Sequence, residues 1–478
     1  MNHHEHATQL TQFRERVYQN FNKRADALME LLDALSSNNR ARSVVELSLE
    51  ACFRREHTSV FKAIAAYRPE WMSKSLAQLA GPYLAEPQKR AFWLFAVDTT
   101  AQSRPYAQTL PDRSYVYQPT PIRSNKPVTV GHCYSEVVLL SEREEQAGSL
   151  WVAPLSTQRA SSGEDKELAG AIQMNVLLDD PALPFHGQLC VEVGDTSYSK
   201  PKYLFVNRPL SNLVTLVRVR STRVFYRRAS LSSPGSRRGH PRWYGTPFRL
   251  QDPRTWSAPD EMASTAFTSR RGQVYQVKIE AWYDLLMRGK RKPFPIPMQR
   301  YPFTLLRVRF FNAKGELAYS NPLWLLVMGE RRLALSPLDS QAAYNQRFDI
   351  EHFIRFGKQK LLWSGFQTPD LQHEENWWHL AHLAYLQLWV ARPYAADQPR
   401  PWERSALTAK THSPSLSPTR VQRDLARIIH QIGTPASIPK PRGYSPGRRK
   451  GTVFAPRPRL PPVFKAFPCV ESARLFSF

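Results

Sequence analysis

The chain has 478 residues, of which 42% are hydrophobic and 12% aromatic, so it is long enough for roughly two to four domains with cores of their own. Its 66 Lys and Arg outnumber its 40 Asp and Glu, giving a formal net charge of +26. This excess favours nucleic acid as the partner over a ribosome-like or membrane surface, because neutralising phosphates supplies most non-specific affinity. The longest apolar stretch, residues 377–390, contains two histidines and is too short to span a bilayer.

The cysteines disfavour two structural classes. They lie far apart and include no Cys-x-x-Cys pair, which argues against a zinc ribbon and against a disulfide framework. We expect reduced cytosolic thiols, and the first residues contain no apolar signal-like segment, so a cytoplasmic location is predicted. The four positions are Cys52, Cys133, Cys190 and Cys469.

Residues 1–88 are predicted to form a helical N-terminal region. Leu10, Phe13 and Val17 begin an apolar spacing of three to four residues, and two shorter helical segments follow. Short basic helices suit a helix-turn-helix-like DNA reader, but they also suit a helical cap on the next domain. The sequence leaves both interpretations open.

Strands and helices alternate between residues 89 and 212. The run 91–98, AFWLFAVD, is apolar until it ends at Asp98, and the run 187–195, GQLCVEVGD, ends at Asp195. Each is typical of a buried central strand, and residues 163–180 between them follow a helical pattern. This order predicts an α/β domain whose sheet is covered on both faces and whose ligands bind at the strand ends.

Residues 213–335 are predicted to be a β-rich insertion with a basic surface. Between Arg218 and Arg254 there are ten arginines and a single acidic residue, Asp252. Arg218 and Arg220 follow the second aspartate on the next strand, so they are candidate DNA contacts. The alternative is a solvated strand face.

Residues 336–392 return to helical patterns, beginning with YNQRFDIEHFIRFGK at 344–358. In this stretch Tyr344, Arg347, Glu351 and Lys358 follow one another at steps of three, four and seven residues, which places them on one face of a helix. A stripe of this kind is either a solvated surface or one wall of an active site.

Residues 393–478 form a Pro- and Ser-rich region that contains one predicted helix near 417–433. Between residues 431 and 466 there are eight Lys or Arg and no acidic residue. This composition predicts an extended, partly disordered basic tail that follows a phosphate backbone, or one that only aids solubility.

Three carboxylates stand at places where a charge needs a partner: Asp98, Asp195 and Glu351. An aspartate at a strand end is often only a turn former or a helix cap, but burial of an unpaired carboxylate is unfavourable. Hard oxygen ligands suit Mg²⁺, and two such ions can activate a water or a 3′-hydroxyl and stabilise the leaving oxygen in phosphodiester cleavage. Asp179 and Asp180 compete for the second position, but they follow a helical pattern.

These motifs resemble those of bacterial insertion-sequence transposases of the DDE superfamily. Residues 344–358 match the Tyr-(two)-Arg-(three)-Glu-(six)-Lys pattern of one large cut-and-paste group at all four positions. The segments VDTTAQ at 97–102 and GDTSYSKPKYLF at 194–205 resemble its first and second motifs. The separations of 97 residues from Asp98 to Asp195 and 156 from there to Glu351 also suit this group, as does a β-rich insertion between the last two.

The resemblance covers about residues 90–390 and implies a fold and an activity. The expected fold class is α/β: a ribonuclease H-like catalytic domain with a β-rich insertion, preceded by a helical N-terminal domain and followed by a basic Pro-rich tail. The implied function is a DNA transposase that binds terminal inverted repeats, cleaves strands with Mg²⁺ or Mn²⁺ and transfers them to target DNA. It would act on double-stranded DNA as a homodimer, at the bacterial nucleoid.

The resemblance also implies roles for individual residues. Trp324 would be the tryptophan that stacks on a flipped-out base when a hairpin end forms, although a place in the core of the insertion is the alternative. The implied metal ligands and catalytic residues are Asp98, Asp195 and Glu351. The implied phosphate contacts near the scissile bond are Tyr344, Arg347 and Lys358.

Two other function classes remain open at this stage. One is a catalytically inactive transposase relative that acts as a repressor or scaffold, although such proteins usually lack one of the carboxylates. The other is an RNA- or ribosome-associated basic protein, which would explain the charge but not the carboxylates. A preference for A-form RNA over DNA would identify the second class.

Overall fold

A computed structural model of the chain describes residues 3–117, 127–142, 150–229, 243–269, 272–290, 295–398, 400, 416–441, 447, 449–453 and 455–464. Among those residues, no helix has both the length and the apolar character needed to cross a bilayer.

The described residues are organised around a mixed sheet of ten strands with the order β2-β3-β1-β5-β6-β12-β11-β10-β9, in which β4 also pairs with β3. Two further strands, β7 and β8, form a separate ribbon. The first six strands are β1 (Trp93–Ser103), β2 (Ser114–Tyr117), β3 (Val128–Leu140), β4 (Val152–Ala160), β5 (Cys190–Gly194) and β6 (Leu213–Arg218). The others are β7 (Val224–Arg228), β8 (Tyr244–Arg249), β9 (Glu261–Thr268), β10 (Val274–Leu285), β11 (Phe303–Phe311) and β12 (Leu323–Met328).

The strands nearest the predicted site have a defined set of directions. Strand β1 is antiparallel to β3 and parallel to β5, β3 is antiparallel to β4, and β5 is parallel to β6. The order β4-β3-β1-β5-β6 with these directions is consistent with the expected ribonuclease H-like domain. The apolar runs of β1 and β5 are buried, as the sequence predicts for central strands.

Helices cover both faces of this part of the sheet, as the sequence predicts. Helix α5 (Lys166–Asp179) packs closely on one face, where a Cβ at Gly170 would lie 2.6 Å from Val97 Cγ1. Neighbouring side chains on a strand point to opposite faces, so Asp98 points away from α5. On that second face, His382 Nε2 of helix α9 (Leu371–Asp397) bonds Glu136, the cross-strand partner of Asp98.

The predicted β-rich insertion does not form a sheet separate from the catalytic strands. Its first strand, β6, is hydrogen-bonded parallel to β5, and β12 then pairs antiparallel with β6 so that β9–β12 extend the same sheet. Strand pairing of this kind joins segments about a hundred residues apart, so local sequence patterns do not reveal it. The division of the chain at residues 88, 212, 335 and 392 stays a prediction.

The N-terminal helices share a core with the C-terminal ones. Helices α1 (His3–Asn20), α2 (Ala25–Ser36) and α3 (His57–Ala66) all pack against α9, as does α10 (Pro418–Ile432), while α4 (Leu76–Ala80) packs against β4. A buried ion pair between Arg14 and Asp33 ties α1 to α2, and Gln387 Nε2 of α9 donates to the same carboxylate at 3.1 Å. Whether these helices also read DNA stays a prediction. The remaining helices are α6 (Pro201–Val206), α7 (Pro337–Gln346) and α8 (Asp349–Lys360).

Residues 455–464 of the tail, called here the docked tail segment, lie against the edge strand β2 and the loop before it. The N–H of Leu460 donates to the carbonyl of Gln108 at 2.8 Å, and the N–H of Val463 donates to that of Arg113 at 2.6 Å. Val463 forms a parallel bridge with Ser114, and Arg113 Nη2 returns a hydrogen bond to the Leu460 carbonyl at 2.9 Å. This part of the tail is therefore held to the sheet by backbone hydrogen bonds.

Candidate active site

The parallel strands place two predicted ligands side by side. Ala96 pairs with Val193, and Gly194 pairs with Val217. Continuing these registers by one or two residues sets Asp98 beside Asp195, and Asp195 beside Arg218 at the end of β6. The sequence predicts that the first strand ends at Asp98, but β1 continues to Ser103, so Asp98 lies within the strand, whereas Asp195 directly follows β5. Side chains that leave a sheet at the carboxyl ends of neighbouring parallel strands share one crevice, which is where α/β proteins bind their ligands.

Glu351 reaches the same region from a different element. The sequence predicts a single helix through residues 344–358, whereas the structure has two, α7 and α8, that meet at a tightened turn. There the N–H groups of Arg347 and Glu351 bond the carbonyls of Tyr344 and Phe348, three residues earlier, at 3.1 and 3.2 Å. Glu351 lies in the first turn of α8 and Lys358 in its last.

The electrostatics of Asp98 show that the three carboxylates lie near one another. The pKa of Asp98 is raised to about 6, mainly by burial, and the negative charges of Asp195 and Glu351 contribute to the rise. The Arg347 guanidinium and the Thr99 N–H, which donates to Asp98 Oδ1 at 2.8 Å, oppose this shift. Asp98 is therefore a buried carboxyl group whose negative charge, when ionised, is not balanced by the nearby positive charge.

Arg347 is the cation that the cluster already contains. Its Nη2 donates to Glu351 Oε1 at 2.9 Å, and its side chain is 8% exposed, whereas that of Glu351 is 44% exposed. The Arg347 Nε is buried and has no hydrogen-bond partner. The guanidinium therefore has an unused N–H donor beside the carboxylates.

Asp195 is oriented by its own turn. It precedes the short 3₁₀ segment Thr196–Ser199, and its Oδ1 accepts the N–H of Ser197 at 2.7 Å. The hydroxyl of Ser197 lies 3.5 Å from Oδ2. A carboxylate held at a strand end by a backbone N–H has a fixed direction, which favours it as a preorganised ligand.

The donor set fits a hard divalent cation. Asp98, Asp195 and Glu351 offer carboxylate oxygens, which Mg²⁺ and Mn²⁺ prefer, and the raised pKa of Asp98 shows that added positive charge would be favourable there. Among the described residues, however, no three His, Cys, Asp or Glu side chains already form a group close enough to hold a metal ion. Glu351 is instead bonded to Arg347.

A cleft of about 720 Å³ opens beside the carboxylates. Lys358 lies on its wall, where its Nζ donates to the carbonyl of Ala101 at 2.9 Å. Burial lowers the pKa of Lys358, while the neighbouring Cys133, Glu136 and Asp98 oppose that shift. The lining also includes Asp98, Cys133, Tyr115, Tyr117, Glu164, Lys166 and Glu351.

A family comparison bears on this arrangement. The family model described as DDE superfamily endonuclease matches residues 16–288, which is more than half of the chain. The chain belongs to the DDE superfamily endonucleases. The matched range contains Asp98 and Asp195 and ends before Glu351. A search of the curated proteins found no match.

The remaining candidate DNA contacts of this DDE chain differ in accessibility. Arg218, at the end of β6, and Arg220, just beyond it, are exposed. Tyr344 is only 3% exposed. Burial raises the pKa of Tyr344, and the positive charges of Arg347 and Arg218 counteract this, so its ring lies among these guanidinium groups. Arg218 and Arg220 are therefore accessible from solvent, whereas Tyr344 is not.

The predicted role of Trp324 does not fit its position. Its side chain is 1% exposed, and its ring centroid lies 5.4 Å from that of Trp256 and 5.9 Å from that of Trp282. A ring packed in this way cannot offer its face to a flipped-out base. The alternative prediction, a place in the core of the β-rich segment, describes Trp324 in this structure, and we leave it out of the proposed DNA surface.

One residue of the site was not singled out from the sequence. The hydroxyl of Tyr198 is buried without a hydrogen-bond partner, and burial raises its pKa well above the usual value, with Asp98 and Asp195 adding to the shift. Its place in the GDTSYSKPKYLF motif, three residues after Asp195, was the available signal. Tyr198 therefore lies close enough to the two aspartates for their charges to affect it, and its ring packs near Gly170 of α5.

Gly194 allows Tyr198 this position, which leads to a stability prediction. A Cβ at residue 194 would lie 2.9 Å from Tyr198 Cγ, so Gly194→Ala must displace the tyrosine and the turn that holds Asp195. We expect the variant to unfold at a lower temperature, with a loss of about 1–3 kcal/mol. Gly163→Ala is the matched control, since nothing lies within 4 Å of a Cβ there. Equal melting temperatures for the two variants would contradict this packing.

Proposed function

We propose that the chain is a DNA transposase that binds the terminal inverted repeats of an insertion sequence, cleaves DNA strands with Mg²⁺ or Mn²⁺ and transfers them to target DNA. The observation that carries this proposal is that the charges of Asp195 and Glu351 act on Asp98, which lines one cleft with Glu351, in a chain of the DDE superfamily endonucleases. The net charge of +26 supports DNA as the substrate.

The three carboxylates would hold the metal. Bound there, Mg²⁺ or Mn²⁺ supplies the Lewis-acid and nucleophile-activating chemistry of phosphodiester cleavage. The chain supplies the orientation: β1 presents Asp98 from within the strand, Asp195 directly follows the neighbouring strand β5, and the first turn of α8 presents Glu351. Each ligand thus comes from a regular element with its own hydrogen bonds, which limits how far it can move.

The basic residues would bind the phosphates on either side of the cleavage point. Lys358 lies in the cleft with Asp98 and Glu351, and the exposed Arg218 stands at the end of the neighbouring strand β6. We propose that Arg347 exchanges Glu351 for a DNA phosphate when the site is loaded. Its unpaired Nε supports this role, because a guanidinium can bind phosphate through two N–H groups at once.

A homodimer would hold two element ends together, because cut-and-paste transposition needs both ends to be cut and joined to one target. We propose that this assembly forms at the bacterial nucleoid. Size-exclusion chromatography with light scattering, with and without an element-end duplex, measures the number of chains in each complex.

A nicking assay tests the proposed function. The purified full chain is mixed with plasmid that carries the inverted repeats flanking its own coding sequence, in Mg²⁺ or in EDTA. We expect nicked and strand-transfer products in Mg²⁺ and none in EDTA. Specific end binding without cleavage in Mg²⁺ or Mn²⁺ would instead support the inactive repressor or scaffold, and a preference for A-form RNA would support the RNA-associated class.

A further inference from the structure

Half-exposed aromatic rings lie on the outer strand beside the cleft. Tyr115 is 54% exposed and Tyr117 is 62% exposed, and they are two residues apart on β2, so they share a face. Both line the cleft that contains Asp98 and Glu351. Exposed aromatic rings that adjoin one another, unlike single ones, often mark a binding surface.

The docked tail segment adds a third ring beside Tyr115 and carries two exposed arginines. Phe464 is 66% exposed, and its ring centroid lies 5.3 Å from that of Tyr115. Arg457 and Arg459 are exposed, and Arg457 Nη1 donates to the carbonyl of Pro369 at 3.1 Å. Prolines between and after the arginines favour an extended backbone, so little conformational entropy is lost when the segment is ordered.

The combination differs from a surface that follows only a duplex backbone. Arginine alone suffices for phosphates, and it attracts duplex and single-stranded DNA alike. Aromatic faces add affinity only for bases that have left the base-paired stack, because paired bases hide their faces within the duplex. Tyr115, Tyr117 and Phe464 therefore point to unpaired bases.

We propose that Tyr115, Tyr117, Arg457, Arg459 and Phe464, called here the aromatic rim, bind unpaired nucleotides of the DNA strand that enters the cleft. The rings stack on the bases, and the two arginines contact the phosphates. The proposal rests on the proposed function, because the cleft must hold a DNA strand for the rim to act on it. It also gives the docked tail segment a role in substrate binding.

Fluorescence anisotropy in EDTA tests the rim with the full chain. Three labelled probes are compared: a blunt duplex, the same duplex with a fork of about ten unpaired nucleotides on each strand, and a single strand. We expect Tyr115→Ala/Tyr117→Ala to weaken binding to the forked and single-stranded probes at least about fivefold, which corresponds to one lost stacking contact. Binding to the blunt duplex should change less than about twofold.

The arginines have a separate readout in the salt dependence of affinity. Each phosphate contact with single-stranded DNA contributes about 0.7 to the slope of log affinity against log salt. Arg457→Ala/Arg459→Ala should therefore lower that slope by about 1.4 on the single-stranded probe. Arg449→Ala/Lys450→Ala is the matched control, because these basic residues lie in a turn ahead of the docked segment and should leave the slope unchanged.

Two further variants separate stacking from unfolding and from general charge. Tyr115→Phe/Tyr117→Phe keeps both rings and should bind all probes as the wild type does. Tyr319→Ala removes a tyrosine that is 59% exposed in the loop before β12, on the other side of the sheet, and should change nothing. Melting temperatures identify any variant that fails to fold.

Several outcomes would contradict the proposed role of the aromatic rim. Equal losses on blunt and forked DNA, no loss with the alanine pair, or a loss with the phenylalanine pair would each do so. Stronger binding after removal of residues 455–478 would do so too, because the tail would then obstruct the cleft. A wild type that binds none of the probes contradicts the proposed function itself, whereas wild-type binding with unaltered rim variants contradicts only the rim.

Discussion

Replacing Glu351 by glutamine is expected to abolish Mg²⁺-dependent nicking while binding to element ends stays within about twofold of the wild type. Glutamine keeps the length of the side chain and can still accept a hydrogen bond from Arg347, now 2.9 Å from Glu351 Oε1. It removes the negative charge that the metal site needs. Loss of one such group from a preorganised site typically lowers the rate about 10²- to 10³-fold.

The measurement pairs a plasmid nicking time course with anisotropy on an element-end duplex. Glu164→Gln is the matched control, because Glu164 is an exposed carboxylate that lines the same cleft but has no proposed metal role. We expect the control to nick at close to the wild-type rate. Retained nicking in Glu351→Gln would contradict the catalytic assignment of Glu351. Loss of binding to element ends would show that Glu351 mainly stabilises the fold.

The strands that matter most for the site could be predicted from the sequence. The apolar runs before Asp98 and Asp195 are buried strands in the structure, because continuous runs of Leu, Phe, Val and Cys suit only positions covered on both faces. Their parallel pairing, and the extension of the sheet by β9–β12, depend on contacts between distant segments. Local patterns carry no information about such contacts.

The helical part of the site was predicted with one error of geometry. Steps of three, four and seven residues correctly place Glu351 and Lys358 on the side of α8 that faces the cleft. They do not reveal that the chain tightens between Tyr344 and Phe348, because hydrogen bonds to carbonyls three residues back occur at helix ends of many sequences. Arg347 and Glu351, four residues apart, still bond across this turn, and Tyr344 is buried.

Features that depend on burial could not be predicted from residue type alone. Trp324 follows a strand-like pattern whether its ring faces solvent or Trp256, and the structure buries it. Tyr115 and Tyr117 alternate with Val116 in a short segment that predicts a strand, but their place beside the cleft follows from the sheet order. Composition predicted an extended tail, whereas its hydrogen bonds to residues 108 and 113 required coordinates.

Asp98→Asn should make the metal-free protein more stable at pH 8, although it should also abolish nicking. Burial raises the pKa of Asp98 to about 6 from a usual 3.8, so the folded state favours the neutral carboxyl group. The stability that Asp98 contributes is therefore present below about pH 4 and is lost as the pH rises through about 6. Asparagine is neutral throughout, so the variant should gain up to about 3 kcal/mol at pH 8 and nothing at pH 4.

Thermal unfolding of both proteins from pH 4 to pH 8, in EDTA, measures this difference. The gap in melting temperature should open between about pH 4 and pH 6, the interval between the two pKa values of Asp98. Asp195→Asn serves as a comparison, because asparagine can still accept the hydrogen bond that the Ser197 N–H donates to Asp195. Mg²⁺ at pH 8 should then raise the melting temperature of the wild type more than that of Asp98→Asn, since the variant keeps only two of the three proposed carboxylate ligands. A melting-temperature gap that does not change with pH, or a variant that is less stable at pH 8, would show that ionised Asp98 does not destabilise the metal-free protein. Added positive charge would then not be most favourable at Asp98.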